Sequence, residues 1–244
     1  MENTSIIALS RQSVIRREID VIANNIANMN TTGFKGEKMM FVEHVVRSKG
    51  GDKIGGERHS YVRDIATARD LSEGPLQQTG NPLDLAISEN GYFVIGTEAG
   101  ERYSRSGNFQ LDQDGQLVTN LGDPVLSQDG APFFFSPEDK DITIAKDGTI
   151  STENGALGRL GIVTFQNPHE LKIVSGGLYS STQPAQPVEA PVVLQGMLEN
   201  SNVQPIIEMT RMIEAHRSYS RIKDFIEKED GRIKKMMEAF GQRV

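Results

Sequence analysis

The sequence predicts an α+β fold, with a long helix at each end of the chain and a central all-β domain built of hairpins. Near both ends, apolar residues recur every three or four positions, the spacing of a helix face that packs lengthwise on another helix. Between about 61 and 193 the period changes to alternation interrupted by Asp-Gly and Asn-Gly pairs, which is typical of β-hairpins. We therefore expect the two terminal helices to form a coiled-coil-like base beside the β domain.

The first helix is predicted from an apolar stripe with heptad spacing, made by Ile15, Ile19, Ile22, Ile26 and Met29. Around the stripe lie four residues that form helices poorly, because their amides compete for backbone groups: Asn24, Asn25, Asn28 and Asn30. We expect these asparagines to bond a neighbour and fix the register of packing; the alternative is an ordinary core helix that frays. Gly33, before Phe34, is expected to end the helix by adopting a positive φ, which gives a first segment at 1–35.

Residues 36–60 are predicted to form a flexible connector. Within it, residues 36–46 fit either a helix or a strand. Gly50-Gly51 and Gly55-Gly56 predict a mobile loop over 47–60, because so glycine-rich a stretch buries too little surface to become ordered. The glycine spacing does not match that of a phosphate-binding loop.

The β domain is predicted over 61–198, where one pattern of apolar residues around an Asp-Gly or Asn-Gly turn occurs three times. A three-residue loop that ends in a left-handed glycine places an apolar residue opposite an apolar residue at every site: Ile87 with Phe93, Leu111 with Leu117, and Ile144 with Ile150. A two-residue turn would instead place Ile144 opposite Ser151. Further strands are predicted at Tyr92–Ile95, Pro132–Phe135, Arg159–Phe165 and Val192–Leu198.

The last segment, 199–244, is predicted to be the second long helix. Ser201-Asn202 offers an N-cap, Pro205 suits the first turn, and Gly231 is expected to bend or end the helix. A second apolar stripe follows at Met212, His216, Tyr219, Ile222 or Lys223, Ile226, Asp230, Ile233, Met237 and Phe240. Because the two stripes match, we expect them to pack on each other within one subunit or between subunits.

The composition and the motifs argue against an enzyme. The chain has no Cys, which excludes disulfides, thiolate catalysis and zinc–thiolate sites, and its four His residues lie in unrelated contexts. We predict no catalytic, cofactor-binding or metal-ligating residue. The net charge of −7 is concentrated in residues 36–202, which suits a solvated domain and does not attract nucleic acid. No apolar run reaches the roughly 20 residues of a membrane span, and no signal peptide is recognised.

Five stretches of the sequence resemble the axial proteins of the bacterial flagellum, the rod and hook family. The run Ala23-Asn-Asn-Ile-Ala-Asn-Met-Asn-Thr-Thr-Gly-Phe-Lys35 is similar to the N-terminal signature of that family. Gln195-Gly-Met-Leu-Glu199-Asn-Ser-Asn-Val203 and Met212-Ile-Glu-Ala-His-Arg-Ser-Tyr219 resemble its C-terminal signature. Thr79–Ile87 and Tyr103–Phe109 resemble its central motifs.

The resemblance implies a structural subunit of the basal-body rod, the periplasmic drive shaft. The terminal helices would then form the inner tube around the export channel, with one hook-type β domain outside. The absence of a large outer insertion argues against a hook subunit, and the opening Met1-Glu-Asn-Thr-Ser favours the proximal rod protein, with the distal rod protein second. The implied partners are rod subunits below and above it and the flagellar export apparatus, with export that needs no cleaved signal peptide and no membrane insertion.

The residues expected to serve assembly lie in the two signatures. They are Ile19, Ile22, Asn24, Asn25, Ile26, Asn28, Met29, Gly33, Phe34, Met212, His216, Tyr219 and Ile226. Two other classes stay open on the sequence: a soluble β-domain adaptor, and a carbohydrate-active enzyme that would need paired carboxylates in a cleft.

Overall fold

The computed structural model describes residues 2–47, 58–139 and 141–241, and it confirms the α+β class. The chain divides into two compact units. Unit 1 comprises Met1–Ala27, Glu37–Arg69 and Gln204–Val244, and unit 2 comprises Asn28–Gly36 and Asp70–Val203. The predicted limits at 35, 60 and 198 do not coincide with these boundaries: the segment after the first helix belongs with the β domain, and the supposed connector contributes strands to unit 1.

Unit 1 contains both long helices, α1 (Glu2–Ala27) and α2 (Pro205–Gly241). α1 ends earlier than predicted, so Met29 lies beyond it. α2 begins at Pro205, which was predicted only to lie in the first turn, and the first helical position suits proline because it needs no N–H donor. The predicted cap at Ser201-Asn202 is wrong, since the carbonyl of Gln204 accepts the first N–H groups of the helix. Gly231 does not end α2, which runs ten residues past it.

Unit 1 also contains an antiparallel ribbon of two strands, β1 (Glu37–Arg47) and β2 (Arg58–Arg69). Residues 36–46, which fitted helix or strand, are therefore mainly a strand. A register shift lies between Met40 and Phe41, and Glu37 at one end of the ribbon forms an ion pair with Arg69 at 3.6 Å. Two-stranded ribbons are marginally stable alone, and this one packs on α1. Most of the predicted mobile loop, residues 48–57, lies outside the described residues.

The described residues of unit 2 form fifteen short strands in five antiparallel sheets, apart from isolated bridges. The largest sheet has the order β13-β14-β6-β5-β12-β15, with strands at Lys172–Ile173, Tyr179–Ser180, Gly100–Ser104, Tyr92–Thr97, Ile162–Thr164 and Gln186–Pro187. A three-stranded sheet contains β11 (Gly155–Arg159), β10 (Thr149–Thr152) and β9 (Thr143–Ile144). The remaining pairs are β16 (Val192–Gln195) with β4 (Leu85–Ser88), β17 (Met197–Glu199) with β3 (Leu76–Gln78), and β7 (Phe109–Leu111) with β8 (Leu117–Thr119).

The core of unit 2 is organised around β5, which is buried on both faces. Because successive side chains of a strand point to opposite faces, Phe93 and Ile95 enter one apolar cluster while Tyr92 and Val94 enter another. The first cluster contains fifteen buried residues and the second contains eight. Burial of apolar surface is the main favourable contribution to the free energy of folding, so these two clusters stabilise unit 2.

Two of the three predicted hairpin registers are confirmed. Leu111 pairs with Leu117 and Ile144 pairs with Ile150, and the turn glycines Gly115 and Gly148 have φ of 78° and 85°. The third prediction is wrong, because β4 pairs with β16 whereas β5 pairs with β6 and β12. At that turn the positive φ, 72°, belongs to Glu89 rather than to the glycine. An alternating pattern around Asn-Gly predicts the turn but not the partner of each strand.

The other predicted strands are found with different lengths. Tyr92–Ile95 lies within β5, and Arg159–Phe165 contains β12. Pro132–Phe135 makes only isolated bridges. Val192–Leu198 is divided into β16 and β17 at Gly196, whose φ of 73° breaks the ladder.

Candidate assembly site

The two terminal stripes pack on each other within one chain. α1 contributes Ile15, Ile19, Ile22 and Ile26, and α2 contributes Met212, Ala215, Tyr219 and Ile222. The helices run antiparallel, since Asn25 near the end of α1 bonds Glu208 near the start of α2. The matching stripes of the sequence thus form an intramolecular helix pair.

Asn25 is buried in unit 1, and its hydrogen bonds support this packing. Its side chain bonds the backbone of Glu37 twice: Nδ2 donates to the carbonyl at 2.8 Å, and Oδ1 accepts from the N–H at 2.9 Å. Nδ2 also donates to the Glu208 carboxylate at 3.2 Å, and that carboxylate accepts from Arg211 at 2.8 Å. Asn25 therefore joins α1 to the first residue of β1 and to the start of α2.

Other predicted assembly residues take different positions. His216 is exposed, because the stripe runs through Ala215, one residue earlier. Ile226 is half-buried on α2 outside the cluster, and Asn24 is exposed on α1. Three more lie in the turn after α1, within unit 2: Asn28, whose Oδ1 accepts from Thr31, half-buried Met29 and half-buried Phe34.

Unit 2 contains a buried ionic cluster formed by Lys35, Arg105 and Glu199. The Glu199 carboxylate accepts from Lys35 Nζ at 2.6 Å and from Arg105 Nε at 2.5 Å, and all three side chains are at most 6% exposed. Both cations donate to backbone carbonyls as well: Lys35 bonds the Ser72 carbonyl at 2.7 Å. Arg105 bonds the carbonyls of Gly91 and Ile87 at 2.6 and 2.9 Å.

The pKa values of Glu199 and Lys35 are shifted by burial and by the neighbouring charges of the cluster. Burial raises the pKa of Glu199, but the two cations and the N–H of Gly74 outweigh burial and hold that pKa below its ordinary value. Burial lowers the pKa of Lys35, and the nearby Arg105 charge lowers it further, against the raising effect of Glu199. One carboxylate is thus shared by two buried cations.

Glycines let the backbone segments around this cluster approach closely. Gly33 has φ 69°, as predicted, and its N–H donates to the Glu199 carbonyl at 2.7 Å. A Cβ at Gly33 would lie 2.6 Å from the backbone of Arg105, and one at Gly107 would lie 1.8 Å from the Leu85 carbonyl oxygen. The N-terminal, central and C-terminal motifs therefore meet in unit 2.

The sequence analysis did not predict a role for Lys35, Arg105 or Glu199, although each lies inside one of the five stretches that resemble the rod and hook family. Spacing does not reveal them, because they are distant in sequence and share no periodic face. What distinguishes Glu199 is its position beside Leu198 at the end of a short apolar strand. A buried acid at such a position requires cations from elsewhere in the chain to compensate its charge.

Neither a metal centre nor a membrane span is found in the described ranges. Within 2–47, 58–139 and 141–241, no three His, Asp or Glu side chains are grouped so that they could hold a metal ion. The helices in the same ranges are too polar to cross a bilayer.

Three family profiles match this chain. The profile described as "Flagella basal body rod protein" matches 4–35, and "Flagellar hook protein FlgE/F/G D1 domain" matches 86–152. "Flagellar basal body rod FlgEFG protein C-terminal" matches 194–222. The three matches fall on α1 and the turn after it, on core strands of unit 2, and on the segment that runs from the end of β16 into the first half of α2.

The chain is also similar over most of its length to curated rod proteins. It is 40% identical to the flagellar basal-body rod protein FlgF of Caulobacter vibrioides, with 91% of each chain covered. It is 34% identical to FlgF of Mesorhizobium japonicum, with 90% of each covered. It is 36% identical to FlgG of Bacillus subtilis, with 86% of this chain and 89% of the relative covered. The chain belongs to the family of flagellar basal-body rod proteins. It is a structural subunit of the rod and not an enzyme.

Proposed function

We propose that this chain is a proximal rod subunit that assembles through its terminal helices. The observation that supports this proposal is the distribution of exposed apolar residues. Among the described residues, sixteen large hydrophobic side chains are exposed, and eight of them lie on α1 and α2. A helix that is apolar on its outer face as well as its packed face is typically buried in an assembly.

In this proposal the helix pair of each subunit is one element of a coiled-coil-like base that forms the inner tube around the export channel. The exposed residues at the start of α1, Ile6 and Leu9, and those along α2, such as Ile206 and Met237, supply contact surface for neighbouring subunits. Unit 2, with its closed core, is the hook-type domain on the outside. The neighbours are other rod subunits, and the chain reaches the periplasmic rod through the flagellar export apparatus without a cleaved signal peptide.

The distal position is the second candidate. The similarity to FlgF of Caulobacter vibrioides at 40% identity favours the proximal position, whereas the 36% identity to FlgG of Bacillus subtilis favours the distal one. The order of assembly separates the two, because a proximal subunit joins the rod before the distal one.

The test is to purify basal bodies from cells that lack the distal rod protein and to look for this chain by immunoblotting. A proximal subunit is retained in those incomplete structures, and a distal subunit is lost. A strain that lacks this chain should not swim, and the full chain should restore swimming. A swimming strain without the chain would overturn the rod assignment itself.

A further inference from the structure

The first turns of α2 carry an exposed apolar strip, here called the outer ridge. It consists of Ile206, Met209 and Ile213, which are 81%, 48% and 53% exposed. Spacings of three and four residues place the three side chains on one face of the helix. Met212 and Ala215, which pack on α1, lie on the other side. The outer ridge is therefore unoccupied by the described part of unit 1.

Unit 1 also has an open groove between α1 and α2, here called the side groove. Its apolar floor is formed by Val14 and Ile15 of α1 and Ala215 of α2, and its volume is about 390 Å³. Ser218 lies at one end of the groove. A groove with an apolar floor between two helices is the kind of surface that receives a row of side chains from a third helix.

The ridge and the groove match in length. The outer ridge extends over eight residues from Ile206 to Ile213, which is about 10 Å of helix. The walls of the side groove extend over the same number of residues, from Arg11 to Glu18 on α1 and from Arg211 to Ser218 on α2.

Their charges are compatible as well. Each wall of the groove carries one cation and one anion, Arg11 and Glu18 on α1 and Arg211 and Glu214 on α2. Because the walls are balanced and the ridge side chains are uncharged, docking needs no partner charge, and the long side chains can keep their charges at the rim. Burial raises the pKa of Glu18, and the Arg211 charge opposes this effect. The wall of the groove formed by α1 is therefore partly desolvated in the single chain.

We propose that the outer ridge of one copy of this chain docks in the side groove of the next copy. The inference rests on the proposed assembly through the terminal helices and specifies its contact. Ridge and groove are different surfaces of the same unit, so the contact is heterologous, and its repetition builds an open array rather than a closed dimer. An open array is what a rod requires.

Cysteine cross-linking tests this contact with little background, since the natural chain contains no Cys. The full-length double variant Met209→Cys/Ser218→Cys is expressed in the strain that lacks the chain, and its basal bodies are purified and oxidised. The two positions are nine residues apart on one helix, about 13 Å, so they cannot form a disulfide within one copy. The expected product is a ladder of covalent dimers, trimers and larger species.

Control variants distinguish the ridge-to-groove contact from other contacts of the same residues. Met209→Cys alone forms a dimer only if ridge packs on ridge, which would overturn the proposal. Leu121→Cys/Ser218→Cys, with an exposed partner site in unit 2, should give no ladder. A disulfide from Met209→Cys to a different protein, carrying a cysteine of its own, would show that the ridge faces another partner.

A second pair, Ile213→Cys/Arg11→Cys, makes the test independent of any one variant. If both double variants enter basal bodies and support swimming but neither gives a ladder, the ridge-to-groove contact is wrong while the rod assignment stands. If the unmodified chain is itself absent from basal bodies, the proposed function fails instead.

Discussion

The two units of this chain differ in how completely they bury their apolar residues. Unit 2 encloses two clusters of fifteen and eight buried residues, whereas the described part of unit 1 has a cluster of three, with five more half-buried around it. At about 1.5–3 kcal/mol for each fully buried aliphatic or aromatic side chain, unit 2 has far more internal stabilisation. A unit that leaves apolar helix faces in water gains the rest of its stability from a partner.

The two units also differ in the polar groups that they bury, which include a charged cluster in unit 2 and a neutral amide in unit 1. Unit 2 buries a three-residue ionic cluster in which one acid is shared by two cations, so removal of that acid leaves charges with no compensation. Unit 1 buries Asn25, whose loss would remove a partner from the neutral backbone groups of Glu37 and from the Glu208 carboxylate, which keeps its ion pair with exposed Arg211. Substitutions in the two units should therefore differ in magnitude and in which unit they affect.

Glu199→Ala should have the largest effect. It removes the only carboxylate that bonds Lys35 and Arg105 in the described structure, and breaking a buried ion pair typically costs about 3–5 kcal/mol. Urea unfolding followed by circular dichroism should show this loss in the transition of unit 2. The matched control is Glu189→Ala, at an exposed acid of the same unit, which should change the transition by less than about 0.5 kcal/mol. Equal effects of the two substitutions would mean that the ionic cluster contributes nothing to stability.

Gly115→Val should destabilise unit 2 by about 1–3 kcal/mol, since it combines positive φ with a clash. A Cβ there would lie 2.3 Å from the Phe135 carbonyl oxygen. Gly122→Val is the matched control, because Gly122 has φ 90° with open space around it, so only the backbone strain remains. The comparison of the two unfolding midpoints isolates the clash, and a larger loss at Gly122 would contradict the three-residue turn geometry.

Asn25→Leu should act on unit 1 and leave unit 2 unchanged. It deprives the part-buried N–H and carbonyl of Glu37 of their partners, which costs about 1–3 kcal/mol. Hydrogen exchange should then show faster exchange in α1 and β1 but not in β5. Asn24→Leu, at an exposed position next to it, should have a smaller effect. If Asn24→Leu and Asn25→Leu impair swimming equally without altering exchange, the asparagines fix contacts between subunits, as the sequence suggested.

Acid should weaken unit 2 through Glu199. The pKa of Glu199 is held below its ordinary value of 4.5, so its stabilising contribution is complete above that pH and is lost as the pH falls through the lower, folded-state pKa. The pKa of Lys35 is also lowered, so the folded state binds fewer protons than the unfolded one in alkaline solution, and stability rises with pH toward 10.5. Melting curves between pH 3 and 6 should show a steeper decline for the natural chain than for Glu199→Gln. Identical slopes would contradict the assignment.

Whether a feature of the structure could be predicted from the sequence depends on how far apart in sequence the interacting residues lie. The helix pair was predictable, because Ile19, Ile22 and Tyr219 repeat at a helical period that needs only local spacing. The Gly115 turn was predictable for the same reason. The pairing of β4 with β16 and the meeting of Lys35 with Glu199 were not, because both join residues more than 100 positions apart, and neither strand pattern nor charge specifies a distant partner. Within the helix pair, the displacement from His216 to Ala215 arose because spacings of three and four are interchangeable along a stripe.

Ile206→Gln should have the smallest effect on stability and a large effect on assembly. The Ile206 side chain is 81% exposed and glutamine is a good helix former, so the free energy of unfolding should change by less than about 0.5 kcal/mol. If the terminal helices join subunits, the same substitution removes apolar contact area from the outer ridge and should reduce both incorporation into basal bodies and swimming. Leu121→Gln is the matched control in unit 2, since Leu121 is 67% exposed and lies outside the helices. It should leave incorporation unchanged. Reduced incorporation of Leu121→Gln with normal incorporation of Ile206→Gln would reverse the comparison between the units and place the assembly contacts on the β domain.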